Sequence, residues 1–448
     1  MKQLAPCIAA LSVALTTPAL AQESLAAQGF AAPSAYGCSN LTEDNLTPIL
    51  EGEDGIFYRI YADIRLQHPF SDRAVALMGE LAEALRARGT TLVYLAVPTK
   101  SQAMPDQLPE LAKLYGFSIE EATGVYRSVV DRLEAAGVVA VDGQKALLAA
   151  EPGAPPFFGT DFHWNAEGAR LMAVEIADVL RGLDGYDALD KTSYETTEAG
   201  MERAFSGLRR QIQKKCVDEI PQAETMTYET VQQAGASLGA ADLFGNAETR
   251  AQVVIAGTSF ADMEIAHFEG WLAQYTELEV FNYAITGGNQ FGAMLSYLTS
   301  DDFRDDPPHY LIWENPIYNN LLQYGEQPMH ELISAAGDNC TLPLAADRAD
   351  ATSLSVDLSG WKTIDGDVIH AAAGAEGPRK VTFTAHLADG STRSNFIERG
   401  TRLRATGHFY MPLSGFGTQG ITRLDVTFDR AVPDSAALTL CRQSKESL

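Results

Sequence analysis

Apolar positions change rhythm along this chain, and the changes divide it. Between residues 71 and 88, Val75, Met78, Leu81 and Leu85 recur every three or four residues, the spacing of one buried helix face. Residues 91–97 form an apolar, β-rich run, as expected of a parallel strand covered on both faces. The run ends at Pro98-Thr99-Lys100-Ser101, a polar turn at the strand's carboxyl end. Sites form there in α/β sheets, so Lys100 is a candidate substrate contact. A helical pattern over 118–136, a strand over 138–142 and a helix over 166–183 follow. Further strands are predicted from Val253, over 278–282 and over 310–314. This alternation predicts a doubly wound parallel sheet. Residues 185–246 are polar and weakly periodic. Their basic cluster, Arg209, Arg210, Lys214 and Lys215, reads as solvated surface or as an insertion over the site.

From Cys340 the period shortens to two. Residues 381–385 and 424–428 alternate between apolar and polar, with Gly- and Asp-containing turns between such runs, which predicts a small β-sandwich. The expected layout is an α/β unit over 35–337 and a sandwich over 338–448. Ahead of both, Lys2, the apolar run Ile8–Leu15 and Ala19-Leu20-Ala21 read as a secretory signal over 1–21. A mobile leader over 22–34 follows. No later run of about 18 apolar residues occurs, so the mature chain is expected to be soluble.

Composition adds three constraints. A length of 448 residues with 46% apolar content suits two or three domains. Removing the signal takes Cys7 away and leaves Cys38, Cys216, Cys340 and Cys441, an even set that favours disulfides in an exported protein. Three pairings are open; the spacing suggests Cys38–Cys216 and Cys340–Cys441. Neither a paired CxxC nor an HxxxH pattern supports zinc, and no metal or cofactor is expected. The formal charge is −26. Residues from Cys340 onward carry 12 basic and 12 acidic side chains, so the excess lies in the other 21 basic and 47 acidic ones. An acidic body excludes nucleic acid as a partner, and the neutral C-terminal region repels an anionic ligand least.

The chemistry is read from two stretches. Val253–Ala256 runs as a buried strand into Gly257-Thr258-Ser259. A helical pattern follows, with Phe260, Met263, Ile265, Phe268, Trp271 and Leu272 apolar. A serine at a strand-to-helix turn sits beside orphan helix N–H groups that can receive an oxyanion while its hydroxyl attacks. The plainer alternative is that Ser259 caps the helix. The second stretch is Gly159-Thr160-Asp161-Phe162-His163-Trp164-Asn165, with Asn165 the expected N-cap of the next helix. In an extended segment Asp161 and His163 face one way, and a carboxylate beside a histidine fixes its tautomer and stabilises the imidazolium. A metal reading of Asp161, His163 and Glu167 lacks further ligands. Among other histidines, His267 lies roughly 12 Å up the helix from Ser259. His309 is at the wrong edge of the sheet, and His68 and His330 have no carboxylate two residues away. The candidates are therefore Asp161, His163 and Ser259. In the C-terminal region, Trp361 and Lys362 with Arg393, Arg399, Arg402 and Arg404 offer an aromatic-and-cation surface for a polyanionic glycan. A core tryptophan and solvated arginines are the alternative.

The order Asp, His, Ser, with Val97-Pro98-Thr99-Lys100, Thr160–Asn165, Gly257-Thr258-Ser259-Phe260 and Trp313-Glu314-Asn315-Pro316, resembles the periplasmic alginate O-acetyltransferases of the AlgX and AlgJ type. These have an SGNH-hydrolase-like domain. The signal, the cysteines and the C-terminal β-region place the resemblance nearest the AlgX branch, whose C-terminal part is a carbohydrate-binding module. The resemblance implies ping-pong acetyl transfer to a uronic-acid hydroxyl through acetyl-Ser259, with His163 as base and Asp161 orienting it. It implies an oxyanion hole from the Ser259 N–H and the turn Thr286–Gln290, at Gly288 or Asn289, and a sugar contact at Tyr318. It also implies a periplasmic location, a polysaccharide acceptor, an acetyl donor protein or membrane partner, and an export complex. Two rival functions use the same residues differently: an SGNH-type acetylesterase in which water attacks the acyl-serine, and a non-catalytic glycan-binding scaffold.

Overall fold

The computed structural model describes residues 33–233, 250–337, 339–361, 366–374, 377–417 and 420–442. The expected signal, most of the leader and Lys362 lie outside the described residues. A short hairpin, β1 (Ile49–Glu51) and β2 (Phe57–Arg59), leads into the chain. The predicted helix of residues 71–88 is Asp72–Ala87, capped by Ser71, whose hydroxyl accepts from the Ala74 N–H. It buries Val75, Met78, Leu81 and Leu85, the four residues whose spacing foretold it.

Five parallel strands follow: β3 (Thr91–Val97), β4 (Val139–Val141), then, after an antiparallel ribbon of β5 (Tyr194–Arg203) and β6 (Glu224–Gln232), β7 (Val253–Ala256), β8 (Val280–Asn282) and β9 (Tyr310–Pro316). Their order across the sheet is β4-β3-β9-β7-β8. The last strand in sequence is thus the central one, with β3 pairing one edge and β7 the other. Helices cover both faces, so β3, β7 and β9 are buried almost throughout. Connections run outward from β3 to β4 and from β7 to β8, which leaves a crevice at the carboxyl ends of the middle strands.

Of the weakly periodic region, residues 194–232 form the β5–β6 ribbon with the helix Gly207–Gln213 between the strands, and residues 234–246 lie outside the described residues. The basic cluster there is surface with a structural use. Arg209 donates to the Ile220 and Pro221 carbonyls, and Lys215 to the Asn40 carbonyl. The structure pairs Cys38 with Cys216 and Cys340 with Cys441.

Beyond Cys340 the chain forms two antiparallel sheets. One has the order β10-β18-β13-β16 (Leu342–Pro343, Ala437–Arg442, Asp367–Ala372, His408–Pro412). The other has the order β11-β12-β17-β14-β15 (Ala346–Asp350, Ser353–Asp357, Ile421–Phe428, Lys380–Leu387, Thr392–Glu398). Alternate residues of both, among them Phe383, Leu424, Val426, Ile369, Phe409 and Leu440, meet in one apolar core. The four-stranded sheet is also covered on its outer side by the helix Gln327–Ala336, which is why β16 is buried at every position.

A fully buried ion pair lies at that junction. Arg399 Nη2 is 2.6 Å from Glu331 Oε1, and the two side chains are 2% and 1% exposed. Glu331 also accepts from the Tyr410 N–H. Removing one partner strands the other charge without water. Glu331→Gln should therefore cost about 3–5 kcal/mol in urea unfolding, whereas the double change Glu331→Leu, Arg399→Met should cost less than that single change.

A candidate serine–histidine–aspartate site

The Ser259 turn is built on β7. Val253–Ala256 is wholly buried, and the chain leaves it through Gly257 and Thr258 into a single helical turn, Ser259–Asp262. Thr258 is the N-cap: its hydroxyl accepts from the Phe260 N–H at 3.3 Å. Capping therefore belongs to Thr258, and the Ser259 hydroxyl is left for other contacts. The helix expected to run on to Leu272 is broken. A 3-10 turn at Glu264–Ala266 and a left-handed His267 (φ 57°) separate it from Phe268–Thr276. His267 turns instead to the Thr230 hydroxyl at 2.7 Å.

Beneath the turn lies Glu314 of β9, 0% exposed. Its Oε2 accepts from the Thr258 N–H at 2.6 Å, and the Thr258 hydroxyl lies 3.1 and 3.0 Å from its two oxygens. Burial pushes the Glu314 carboxyl up to about 7, against the pull of these donors. A Cβ on Gly257 would sit 2.6 Å from Glu314 Oε2, so only glycine lets strand and carboxylate meet.

Asp161 and His163 converge by a different route from the one expected. The segment is a tight turn, not extended chain. Asp161 Oδ1 takes both the His163 N–H at 3.0 Å and His163 Nδ1 at 2.6 Å. Burial opposes the Asp161 charge, but the hydrogen bond and charge of His163 outweigh it and hold the carboxyl below its usual value. His163 Nε2 lies 2.8 Å from Ser259 Oγ. The ring is wedged between Phe162 (4.0 Å between centroids) and Phe260 (4.8 Å). Trp164 Nε1 donates to the Phe260 carbonyl at 2.8 Å, stitching the two loops together. Asn165 caps the Ala166–Arg181 helix as predicted. Glu167 pairs with Arg170, and no group of three metal-ligating side chains occurs among the described residues.

The remaining candidates are scattered, and several expectations need correction. Lys100 is not a substrate contact: it is 1% exposed, and its Nζ donates to the carbonyls of Phe57, Phe158, Gly159 and Asp161 at 2.6–3.0 Å. The turn Thr286–Gln290 lies beside the Ser259–Asp262 helical turn, with the Thr286 N–H donating to Asp262 Oδ2 at 2.7 Å. The Gly288 N–H, however, is spent on the Ile285 carbonyl at 3.0 Å, and Asn289 Oδ1 accepts from the Phe291 N–H. Among the described residues no protein oxygen accepts the Ser259 N–H. Tyr318 is within reach of the site: the Arg59 guanidinium lies 5.1 Å from its ring and 4.2 Å from the ring of Phe162. Asp63 holds Arg59 in place at 3.1 Å.

The expected C-terminal surface does not assemble. Arg399 is buried on Glu331, and Arg393 donates to the Phe416 carbonyl. Arg404 pairs with Asp302 and stacks on Tyr283. Trp361, 37% exposed, follows β12 at the end where Asp357 meets Arg423. The arginines after β15 leave from the other end, near Glu398 and Lys380. Arg402 reaches the turn beside Ser259, donating to the Thr286 carbonyl at 3.0 Å.

Sequence reasoning missed Arg59 and the anchoring role of Glu314. A charged residue inside the apolar run Tyr310–Pro316 was the available signal for Glu314. Arg59 carries none, because its neighbours come together only through tertiary contact.

Residues 49–317 match the family model described as SGNH hydrolase-like domain, acetyltransferase AlgX. The chain is 27% identical over 319 residues to "Alginate biosynthesis protein AlgX" of Pseudomonas aeruginosa, covering 68% of this chain and 66% of that one. It is 28% identical over 294 residues to the Pseudomonas putida protein of that name, 64% and 60% covered. It is also 31% identical over 247 residues to "Probable alginate O-acetylase AlgJ" of Pseudomonas fluorescens, 54% and 60% covered. The matches thus span roughly three fifths of these relatives' lengths. The solved structure of Pseudomonas aeruginosa AlgX superposes with a TM-score of 0.73 at 20% identity, covering 88% of this chain and 94% of that one.

The Gly257 contact yields a test. Gly257→Ala should cost about 1–3 kcal/mol from overpacking against Glu314. It should also slow labelling of Ser259 by a sulfonyl fluoride about 100-fold, read by intact mass, because the turn must move.

Proposed function

The chain belongs to the SGNH hydrolase-like AlgX acetyltransferase family, and from that premise we propose that it O-acetylates an exported polysaccharide of the alginate type. The observation that carries the proposal is the hydrogen-bonded series Ser259–His163–Asp161 inside the residues that match the family model. In this reading His163 Nε2 takes the Ser259 proton while Oγ attacks the donor's acetyl carbonyl. Asp161 holds the imidazole in the Nδ1–H tautomer and stabilises its charged form. The Ser259 N–H faces the developing oxyanion. The donor's leaving group departs with the proton from His163, leaving acetyl-Ser259. A glycan hydroxyl then gives its proton to His163 and attacks the ester, and Ser259 recovers a proton as the acetylated sugar leaves. Gly288 would join the oxyanion hole only after giving up its bond to Ile285.

The acceptor would lie along a cleft of about 710 Å³ between the Gly287–Leu295 segment, the first turn of the Gln327–Ala336 helix and β15. Its lining includes Tyr324, Phe396, Asn395 and Arg402, aromatic faces and polar groups of the kind that hold sugar rings. The C-terminal sheets, residues 338–448, are accordingly read as glycan-contacting. Two disulfides and the expected signal over 1–21 support the periplasm. No helix among the described residues is long and apolar enough to cross a membrane. The acetyl group would then be supplied by a membrane-bound or periplasmic donor, with an export complex as the setting.

Mature protein, incubated with an activated acetyl ester and oligomannuronate, should yield acetylated oligosaccharide and a transient acetyl adduct on Ser259, both read by mass spectrometry. Ser259→Ala should abolish both, and Asp161→Asn should slow turnover about 10⁴-fold. Acetate release without acetylated sugar would make the protein an esterase, and no Ser259-dependent turnover at all would sink the catalytic reading.

A further inference from the structure

We propose that Lys100 is the positioning residue of the acid–base half of the site: its ammonium holds the Asp161–His163 turn in register with Ser259, and acyl transfer fails when that proton is lost. The proposal rests on the catalytic reading above and adds to it a residue and a pH limit.

The geometry is specific. Lys100 Nζ donates to Phe57 O at 3.0 Å, Phe158 O at 2.6 Å, Gly159 O at 2.8 Å and Asp161 O at 2.9 Å. These carbonyls belong to β2 and to the turn that carries Asp161 and His163. An ammonium offers three protons, so four oxygens share them. A neutral amine would offer two, and would aim a lone pair at the remaining carbonyls. Buried carbonyls deprived of a donor then separate or admit water. Asp161 is affected at once, because its own backbone oxygen is one of the four while its carboxylate orients His163.

The surroundings favour loss of the proton. Asp63 and Asp161 support the charge, and Arg59 on the same hairpin opposes it. The ring of Tyr58 lies 5.7 Å from Nζ, and burial keeps its phenol neutral. Burial of the amine outweighs the two carboxylates and brings Lys100 down to about 7. The sign follows: Lys100 is charged below that pH and neutral above it, so positioning is lost as pH rises. Glu314, whose carboxylate accepts from Thr258, works in the opposite sense, since its charge appears only as its proton is lost. Arg59 and Tyr318 are both raised and stay protonated. An alkaline limb therefore belongs to Lys100.

The test follows acetylation of Ser259 by p-nitrophenyl acetate across pH, by rapid quench and intact mass, in wild type and Lys100→Met. In parallel, ¹³Cε-lysine and ¹⁵N-histidine labels report Lys100 and the His163 ring, with Lys100 assigned by its loss in Lys100→Met or Lys100→Arg. We expect a bell-shaped wild-type rate and a Lys100→Met rate about 100-fold lower with no alkaline limb. KM should change by less than about twofold, because substrate contacts are untouched. The Lys100 and His163 signals should change together at the midpoint of the limb. Wild-type rate in Lys100→Met, an alkaline limb that persists in it, or a Lys100 signal that stays charged through the limb would each overturn the proposal. Should Lys100→Met not fold, the wild-type signals alone decide it against the kinetic midpoint. Should Ser259 never acetylate, the catalytic reading falls, while co-titration of Lys100 with the His163 ring still decides whether Lys100 holds the turn.

Discussion

Glu314 sits on the central strand, 0% exposed, and both of its oxygens meet Thr258, through that residue's N–H and hydroxyl. A carboxylate buried in this way is tolerated only while its donors stay in place. Thr258 is therefore fixed by both its N–H and its hydroxyl, and the next residue in the chain is Ser259. The constraint spreads outward: Gly257 must lack a side chain, and β7 must lie against β9 in one register. Because Thr258 does the capping, the Ser259 hydroxyl is free to meet His163. Order in the sheet is thus converted into order at a single oxygen atom.

The histidine side is held by the opposite charge. Lys100 caps the carboxyl end of β3 and takes four carbonyls of the neighbouring loops, as Glu314 takes donors at the end of β9. Among the described residues neither group has an ion pair in direct contact: Lys100 is met by four backbone carbonyls, and Glu314 by the backbone N–H and hydroxyl of Thr258. Strands β3 and β9 are adjacent, which brings these two anchors, and the loops they hold, to one edge of the sheet. Ser259 and His163 are 96 residues apart in sequence, yet they meet through parts that each buried charge keeps rigid.

The alternation of helix and strand was plain in the sequence, because burial on both faces leaves β3, β7 and β9 as apolar runs. The cap at Asn165 was also visible, since capping chemistry is local. Convergence of Asp161 and His163 was foreseen for a reason that does not hold: the turn, with Asp161 Oδ1 bridging two nitrogens of His163, replaces extended geometry. Lys100 reads as a substrate contact in sequence because a polar turn at a strand's carboxyl end is where α/β sites form. Four carbonyls drawn from residues 57–161 reverse that, and nothing near Lys100 in sequence encodes them. The long helix after Ser259 failed at His267, whose ring is drawn away to Thr230 on the ribbon, a partner invisible to local periodicity. Trp361 and the arginines looked like one surface because they are near in sequence, while the strand order separates them.

The C-terminal sheets are tied to the parallel-sheet unit through several contacts. Arg402 reaches back to the Thr286 carbonyl, and its guanidinium lies where a Cβ on Gly287 would come within 2.8 Å. Gly287 also has φ 73°, so backbone conformation and close approach both require glycine there. Thr299 and Thr406 share a buried hydroxyl contact, and Arg399 neutralises Glu331. Withdrawing these sheets would take Arg399 and the Tyr410 N–H away from Glu331, and would free the Thr286–Gln290 turn from Arg402. That turn lies beside the Ser259 helix through Asp262, so the surroundings of Ser259 are shaped jointly by the parallel sheet and by the strands that follow it.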